Sequence, residues 1–298
     1  MNSDTAAIVV TYNRKELLAE CIEHLQKQTY KADIIVIDNM STDGTPEMLK
    51  PLVDEDKIIY HSTGANLGGA GGFFEGIKLA YKLGYEYFWL MDDDSMPTPD
   101  ALEQLKEAGD KLQGNFGFLS SRVVWTDGSI CLMNVPKESL YKKVDNFDDP
   151  VVKIKMGTFV SFFTKREVVE EVGLPIKEFF IWGDDVEYSQ RISRSYPCYL
   201  INTSRVVHKT KNNYGSNIAT DDFSRIKRYE LAYRNEVFLY REAGAKGFFY
   251  QTARLCLHVF RVIAKAKDHK SERLHTISAG TKAGFKFHPE IKRVQNEM

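Results

Sequence analysis

The stretch Tyr85-Glu86-Tyr87-Phe88-Trp89-Leu90-Met91 runs directly into Asp92-Asp93-Asp94-Ser95, and this junction decides the fold. The first part is mostly aromatic and apolar, which predicts a buried central strand. Three adjacent carboxylates repel one another and are costly to bury, so a cation or strongly donating groups must meet them. Open α/β sheets bind ligands just beyond the carboxyl ends of such strands. We therefore expect a site here rather than an exposed acidic turn, with a divalent metal as the leading candidate.

Short apolar strands alternate with helices on both sides of this junction. Ala6-Ala7-Ile8-Val9-Val10-Thr11-Tyr12 and Ile34-Ile35-Val36-Ile37 are runs typical of buried strands, and Lys57-Ile58-Ile59-Tyr60 predicts a third strand. A helix capped by Asn13 is expected after the first strand. Such alternation predicts an α/β fold of the Rossmann-like kind, with a mostly parallel central sheet flanked by helices.

A glycine-rich segment, Gly64-Ala65-Asn66-Leu67-Gly68-Gly69-Ala70-Gly71-Gly72, follows the third predicted strand. It matches neither GxGxxG nor GxxxxGK[ST], so it supports neither a dinucleotide fingerprint nor a P-loop. Glycines at this density indicate that the backbone comes close to another group, either a ligand phosphate or a packed helix. We favour the ligand and keep the packed helix as the alternative.

A second aromatic run ends in acids at Phe179-Phe180-Ile181-Trp182-Gly183-Asp184-Asp185. Asp184 and Asp185 are expected in the first turn of the next helix, where the helix dipole stabilises anions. Alternatively, one of them is the base that a metal-containing site would need from a second element. His208 follows a short predicted strand, as either an ordinary polar residue or a partner of these acids.

The remaining chain predicts a cover for the site and a helical C-terminal region. Residues 126–155 are short, charged and turn-rich, which indicates an inserted hairpin or loop. We expect a domain boundary that separates residues 1–220 from a helical region over 221–298. The last predicted helix has a basic side that could face a membrane, the catalytic body or a second subunit. That side comprises Arg254, His258, Arg261 and Lys265.

Composition narrows the compartment and the partners. The four cysteines of the 298 residues are widely spaced without a CxxC pair, which argues against a zinc site or a disulfide framework and favours a reducing, cytoplasmic compartment. Met1-Asn2-Ser3-Asp4 does not resemble an export signal, and no charge-free stretch is long enough to span a membrane. From residue 241 onward there are 12 Lys/Arg against 5 Asp/Glu, although the whole chain has a net charge of −1. This basic region suggests a polyanionic neighbour such as a membrane surface, or a solvated helix face.

Together these motifs resemble the inverting nucleotide-sugar glycosyltransferases of family 2, which have the GT-A fold. The resemblance covers about residues 6–210. The matching motifs are Val10-Thr11-Tyr12-Asn13-Arg14, Asp38-Asn39 with Ser41-Thr42-Asp43-Gly44-Thr45, Asn66 to Gly72, Asp92-Asp93-Asp94 in the DxD position, and Trp182-Gly183-Asp184-Asp185. The resemblance implies a GT-A domain with a C-terminal helical extension.

The resemblance also implies a role for each matching residue. Asp185 corresponds to the general base, and Asp92 and Asp94 would contact the donor and its metal, with His208 completing the metal ligands. Asp38 would accept the imide N–H of uracil or thymine. The other donor-binding candidates are Thr11, Tyr12, Arg14, Asn66, Gly68, Gly69, Asp93, Trp182 and Asp184.

The implied cofactor is Mn²⁺ or Mg²⁺, because these hard cations take carboxylate oxygens and Mn²⁺ also accepts imidazole. The implied donor is UDP-galactofuranose, with dTDP-rhamnose as the alternative. The acceptor would be a hydroxyl of a growing, lipid-linked cell-surface glycan at the inner face of the membrane. Nucleic acid is not an expected partner, whereas a homo-oligomer is compatible with the chain.

Two features separate this interpretation from other enzyme classes. The QxxRW motif of processive synthases is missing, because Ser193 stands at the third position after Gln190. A nucleotidyltransferase would have a basic glycine-rich loop after the first strand, where this chain has Asn13-Arg14-Lys15. A catalytically inactive nucleotide-sugar-binding protein remains the alternative of a different class, although all the expected acids are present.

Overall fold

The computed structural model describes residues 3–139 and 141–297. The prediction about export depends on the first four residues, of which Met1 and Asn2 lie outside the described residues. The strands are β1 (Thr5–Thr11), β2 (Asp33–Asp38), β3 (Ile59–Ser62), β4 (Tyr87–Asp92), β5 (Ser95–Pro97), β6 (Phe118–Trp125), β7 (Lys137–Ser139), β8 (Lys142–Lys143), β9 (Val151–Ile154), β10 (Phe162–Lys165) and β11 (Cys198–His208). The α-helices are α1 (Lys15–Gln26), α2 (Thr45–Asp54), α3 (Gly68–Lys82), α4 (Ala101–Lys111), α5 (Arg166–Val172), α6 (Asp184–Ser195), α7 (Arg228–Arg241), α8 (Gly244–Lys265) and α9 (Lys270–Phe285).

One mixed sheet organises the described chain. Its strand order is β3-β2-β1-β4-β10-β6-β11-β5, and β9 pairs with β11. The strands β1, β2, β3, β4, β6 and β11 run in one direction, whereas β5, β9 and β10 run against them. The predicted α/β fold, with a mostly parallel sheet and C-terminal helices, is confirmed.

The sheet is buried on both faces because its central strands are apolar throughout. In β1, Ile8 and Val10 face one core layer, and Ala7 and Val9 face the other. Helices α3, α5 and α6 contribute to the first layer, whereas α1, α2 and α4 contribute to the second. Two-sided burial explains why these strands read as continuous apolar runs rather than as an alternating pattern.

Strand pairing brings the predicted site residues to one edge of the sheet. Thr11 is in register with Asp38, and Val10 with Asp92, so the carboxyl ends of β1, β2 and β4 meet there. The short strand β5 then pairs antiparallel with β11, with His208 opposite Ser95. This pairing explains how His208 comes to lie beside the acids at the end of β4.

The prediction that Asn13 caps α1 is wrong. The helix begins at Lys15, and Asn13 has a φ of 53°. The side-chain oxygen of Asn13 accepts the Thr42 amide (2.7 Å), and the Lys15 amide donates to Asp43 (3.0 Å). The start of α1 is thus satisfied by the turn after β2, which local sequence does not reveal.

The glycine-rich segment is partly helical, because α3 begins at Gly68. A Cβ on Gly72 would lie 2.4 Å from Val10 Cγ1, and one on Gly68 would lie 2.1 Å from the Phe180 carbonyl oxygen. Gly68 also has a φ of 71°, which favours glycine. The packed-helix alternative therefore accounts for these two glycines. Gly69 would meet no atom within 4 Å, so packing does not explain it.

Three other boundaries differ from the predictions. The strand expected from Met156 begins only at Phe162, and the two short strands predicted around residues 199–208 are the single strand β11 with an irregularity after Ile201. Helix α8 is not the last helix, because α9 follows it. Helix α9 packs closely on α7, since a Cβ on Gly280 would lie 2.5 Å from the Glu230 carbonyl oxygen. Glycine disfavours helices in isolation, so tertiary packing must stabilise α9.

The predicted insertion contains the hairpin of β7 and β8, and its strand β9 joins the main sheet. Leu140, between the two hairpin strands, lies outside the described residues. Within residues 3–139 and 141–297, no helix is long and apolar enough to cross a membrane. The division of the chain at residue 220 stays a prediction.

Candidate active site

The acidic triplet at the end of β4 is met by residues from the end of β1. The Arg14 guanidinium lies 3.1 Å from Asp93 Oδ1 and 2.8 Å from Asp94 Oδ2. The Thr11 hydroxyl donates to Asp93 Oδ2 at 2.8 Å. Asp93 and Asp94 are buried, whereas Asp92 is partly exposed. Arg14 thus supplies part of the positive charge that the triplet requires, and Asp93 ties β1 to β4.

His208 is a partner of these acids. Its Nε2 lies 3.0 Å from Asp94 Oδ1, and its Nδ1 lies 2.7 Å from Asn134 Oδ1. Because an amide oxygen only accepts, Nδ1 carries the hydrogen of this bond. The Cys131 thiol also donates to Asn134 Oδ1 (3.0 Å). The insertion therefore orients the imidazole so that Nε2 faces Asp94.

The chemistry of this cluster fits a divalent cation. Asp92, Asp94 and His208 offer ligand atoms that all lie within 4.8 Å of one another. Two carboxylates with one imidazole form a donor set that suits Mn²⁺. Metal-binding histidines usually donate their other ring N–H to a neighbouring acceptor, as His208 does to Asn134.

The charges of the cluster are strongly coupled. Burial and the charge of Asp94 raise the pKa of Asp92 to about 7, and burial raises the pKa of Asp93 to about 6 against the effect of Arg14. Burial opposes the charged form of His208, but the bond with Asp94 outweighs it and raises the pKa of His208 to about 10. Burial also opposes the charged form of Asp94, yet His208 and Arg14 hold its pKa below the ordinary value.

The second acidic cluster begins α6, as predicted. Asp184 is buried, and burial followed by the charges of Asp185 and Asp92 raises its pKa well above the ordinary value. Burial raises the pKa of Asp185 to about 6, although the Val186 amide (2.7 Å) and the charge of Lys137 oppose this. The charge of Asp92 in the first cluster therefore acts on the pKa of Asp184, whereas the charge of Lys137 in the insertion acts on the pKa of Asp185.

The segment that precedes these acids has a strained backbone. Phe180 and Trp182 have φ values of 62° and 65°, followed by 88° at Gly183. Such conformations cost free energy in residues with a Cβ and persist only where neighbouring groups hold them. Asn235 of α7 is buried and donates to three backbone carbonyls of residues 179–182, at 2.9 to 3.1 Å. Sequence reasoning missed Asn235, because a single asparagine within a helix carries no pattern.

Asp38 occupies a different environment from the one that the resemblance implies. It is fully buried, its Oδ1 accepts the Ser41 amide (2.9 Å), and its Oδ2 accepts the Tyr60 hydroxyl (2.8 Å). A contact with a nucleobase would require Tyr60 to move away. The neighbouring Asn39 connects β2 to the glycine segment by donating to the Gly68 carbonyl (3.0 Å).

The other predicted residues are divided among three places. Thr11 and Arg14 lie with the acidic triplet, and Tyr12 beside them is 43% exposed. Asn66 lies instead on a cavity of about 520 Å³ that Phe180 also lines, and its side chain accepts the Gly68 amide (2.9 Å). Trp182, just before α6, lines a smaller cavity.

The comparisons with known proteins bear on the family and the fold of the chain. The sequence model described as Glycosyl transferase family 2 matches residues 6–173. The galactofuranosyltransferase GlfT1 of Mycolicibacterium smegmatis is 29% identical over 274 residues, which cover 80% of this chain and 84% of that protein.

Solved structures show the same fold. The mannosyltransferase PcManGT of Pyrobaculum calidifontis, in complex with GDP-Man and Mn²⁺, superposes with a TM-score of 0.55 at 16% identity over 96% of this chain and 76% of that one. GalNAc-T7 with UDP, GalNAc and Mn²⁺ has a TM-score of 0.57 at 16% identity, over 76% of this chain and 50% of its own. These similarities confirm the predicted GT-A fold. The chain therefore belongs to glycosyltransferase family 2 and is a glycosyltransferase of the hexosyltransferase type.

Proposed function

We propose that the protein transfers galactofuranose from UDP-galactofuranose to a hydroxyl of a growing cell-surface glycan, with inversion at the anomeric carbon. The observation that carries this proposal is a pair of acidic clusters near enough for the charge of Asp92 to act on Asp184, one cluster suited to a cation and the other with an acid whose pKa is about 6. The similarity to a galactofuranosyltransferase supports the choice of sugar. dTDP-rhamnose is the alternative donor.

On the donor side, Asp92, Asp94 and His208 would hold Mn²⁺ or Mg²⁺. When bound, the cation would neutralise the negative charge that develops on the departing diphosphate. Asn134 accepts the hydrogen of His208 Nδ1, so Nε2 is the ring nitrogen that would bind the cation, after giving up the proton that it shares with Asp94. Support comes from the Mn²⁺ named with two proteins of the same fold.

Residues at the end of β1 would shape the nucleotide pocket. Arg14 and Thr11 hold Asp93 and Asp94 in place, and Tyr12 offers an exposed ring to the base. The contact between Asp38 and the imide N–H stays a prediction. It depends on movement of Tyr60, whose hydroxyl lies 2.8 Å from Asp38 Oδ2. The donor roles of Asn66, Gly68, Gly69, Trp182 and Asp184 also stay predictions.

On the acceptor side, Asp185 would remove the proton from the acceptor hydroxyl. As that oxygen forms its bond to the anomeric carbon, the bond from this carbon to the diphosphate oxygen breaks, and UDP leaves with the electron pair. The proton passes to Asp185 and then to solvent. With a pKa of about 6, Asp185 is ionised at neutral pH while remaining basic enough to accept the proton. A single displacement of this kind inverts the anomeric centre.

We also propose that the acceptor is lipid-linked and that α8 lies on a membrane surface. Most of the basic side of α8 does not face outward as the membrane interpretation requires, because Arg254, His258 and Arg261 are half-buried and Arg254 pairs with Glu236 of α7 (2.7 Å), whereas Lys265 is exposed. The outward side is apolar, and its exposed residues are Phe249, Leu257, Phe260 and Ile263. The exposed lysines nearby are Lys246, Lys265, Lys267 and Lys270. An apolar face accompanied by lysines suits an anionic lipid surface.

Sedimentation with vesicles tests the membrane proposal. We expect binding to vesicles that contain anionic lipid, and loss of binding in Phe249→Ser/Phe260→Ser protein. The control is Lys50→Gln, a charge change at an exposed position of α2, and this variant should bind like wild type. Membrane docking would be contradicted if the double variant bound vesicles like wild type. It would also be contradicted if light scattering showed a stable dimer in which this face is buried.

A donor panel tests the proposed reaction. The protein is incubated with UDP-galactofuranose, other UDP-sugars and dTDP-rhamnose, with Mn²⁺ or with a chelator, and released nucleotide is measured. We expect metal-dependent release of UDP from UDP-galactofuranose. Release of dTDP instead would select the alternative donor. Nucleotide binding without turnover of any donor would identify an inactive nucleotide-sugar-binding protein.

A further inference from the structure

A cavity of about 200 Å³ lies between α7, α8 and the loop at residues 216–218. Its aromatic walls include Trp182 and Tyr229, whose rings meet edge to face with centroids 4.9 Å apart. Glu236 of α7 and Arg254 of α8 provide its charged side. The volume is below the roughly 300–1,000 Å³ of typical ligand pockets, so it suits a single small group such as one sugar ring.

The charged side of the cavity has unused hydrogen-bonding capacity. Arg254 donates to Glu236 Oε1 at 2.7 Å. Within the described chain, Glu236 Oε2 and Arg254 Nε are both buried without a hydrogen-bond partner. Buried groups of this kind are unfavourable unless a ligand or water satisfies them.

The two open positions select the chemistry of the ligand. Glu236 needs a donor and Arg254 needs an acceptor, and a sugar hydroxyl can act as both. Two neighbouring hydroxyls on one ring would therefore satisfy the pair. An ionised phosphate offers acceptors only, so it would meet Arg254 and Arg261 but would leave Glu236 Oε2 without a donor and be repelled by it. The unpartnered Glu236 oxygen therefore favours a neutral sugar ring, whose hydroxyls can donate, over a phosphate group.

The cavity adjoins the segment that leads into Asp185. Trp182 lines it three residues before Asp185, and Asn235 holds the Trp182 carbonyl at 2.9 Å. The charges of Asp185, Arg254 and Glu236 all act on the Lys137 ammonium group. The charge of Asp92 in the first cluster acts instead on Asp184.

We propose that this cavity is the acceptor subsite, where Glu236 and Arg254 bind hydroxyls of one neutral sugar ring so that another hydroxyl of the acceptor reaches Asp185. The inference rests on the proposed transfer reaction and adds the acceptor class and its binding residues. Glu236 and Arg254 lie outside residues 6–173, to which the family similarity applies.

Acceptor kinetics test the subsite with the variants Glu236→Gln and Arg254→Gln. We expect the KM for a neutral glycoside acceptor to rise at least about tenfold, because a hydrogen bond to a charged group is lost. Hydrolysis of the sugar donor without acceptor, and the KM for donor, should stay unchanged. The matched controls are Glu230→Gln and Lys282→Gln, at exposed positions of α7 and α9, which should behave like wild type.

Several outcomes separate the subsite from the reaction itself. An unchanged acceptor KM in either cavity variant would overturn the subsite, as would an equal loss of donor hydrolysis, which indicates a purely structural role. If neither cavity variant folds, tryptophan fluorescence of wild type titrated with methyl glycosides and with a sugar phosphate decides. Saturation by neutral glycosides alone supports the subsite, and preference for the phosphate overturns it. Wild-type protein without any donor turnover would instead contradict the proposed function.

Discussion

The two acidic clusters look alike in sequence and differ in the structure. Each follows an aromatic segment and places adjacent carboxylates at one end of the sheet. Asp92-Asp93-Asp94 follows a regular strand and is met by Arg14 and His208 at 2.8 to 3.1 Å. Asp184-Asp185 follows a strained segment, and burial raises the pKa of both acids. Burial also raises the pKa of Asp92 and Asp93, but His208 and Arg14 hold the pKa of Asp94 below its ordinary value. Carboxylates that are met by cations suit the binding of a metal and a diphosphate, whereas weakly neutralised ones suit the uptake of a proton.

Replacing the proposed base should have the largest effect. Asp185→Asn is expected to lower kcat for transfer by about 10²- to 10⁴-fold, the usual contribution of a general base. Initial rates at saturating donor and acceptor measure this. Asp184→Asn is the neighbouring control, and it should lose less because Asp184 already favours its neutral form. A larger loss in Asp184→Asn would reverse the roles of the two acids.

Replacing an acid of the first cluster should affect donor binding instead. Asp94→Ala is expected to weaken Mn²⁺-dependent UDP binding by more than about 100-fold, since even groups that only orient metal ligands contribute about 10- to 100-fold. The loss of Asp94 also leaves Arg14 and His208 without their partner. Calorimetric titration of UDP, with Mn²⁺ or with a chelator, gives the affinity. Equal affinities of variant and wild type under both conditions would refute the metal role.

A smaller effect is expected from the residue that orients His208. Asn134→Ala should lower the apparent Mn²⁺ affinity by about 10- to 100-fold, because Nδ1 loses its acceptor at 2.7 Å. Activity measured against Mn²⁺ concentration checks this. Asn146→Ala, a change at a partly exposed position of the same insertion whose side chain bonds to Asp148 and Asp149, is the control. An Mn²⁺ dependence identical to that of wild type would show that His208 does not bind the metal.

The pH dependence should come from the second cluster. Burial raises the pKa of Asp185 to about 6, so the carboxylate is protonated and inactive as a base below that pH. At saturating Mn²⁺, kcat is expected to fall about tenfold per unit below pH 6 and to level off above it. The residual activity of Asp185→Asn should lack this dependence. A profile shared by both proteins would assign the titration to another group.

The smallest expected effect concerns the support of the second cluster. Asn235→Ala removes the donor to three carbonyls of the strained segment, so it should destabilise the fold by about 1–3 kcal/mol. Thermal or urea unfolding measures this, and the acceptor KM should rise while UDP affinity stays unchanged. Asn212→Ala, in the loop before α7, is a control for loss of a local asparagine bond (3.2 Å). A weaker UDP affinity in Asn235→Ala would mean that the clusters are not supported separately.

The sequence predicted the parts of the fold that depend on local pattern. Continuous apolar runs located β1, β2 and β4, and acids after strands located the site edge, because parallel strands end together. It did not predict contacts that depend on pairing between distant segments. The cap of α1 comes from Asp43, and the partner of the triplet is Arg14, whose side chain gives no local sign of its direction.

The C-terminal region shows why the remainder could not be predicted. The side of α8 around Arg254 was expected to have a basic surface role, yet Glu236 of α7 pairs with it and the exposed side is apolar. Which side of a helix is buried depends on its neighbours. Helix α9 packs on α7 through Gly280 and Gly284, and nothing in the local sequence shows which helix these glycines contact. Asn235 was missed for the same reason.

The proposed division of work between the clusters is tested most directly by titrating UDP, at saturating Mn²⁺, into Asp185→Asn by calorimetry. The division predicts that this variant, although inactive in transfer, binds UDP with the affinity of wild type. An affinity as weak as that of Asp94→Ala would contradict it, because both clusters would then belong to the donor site.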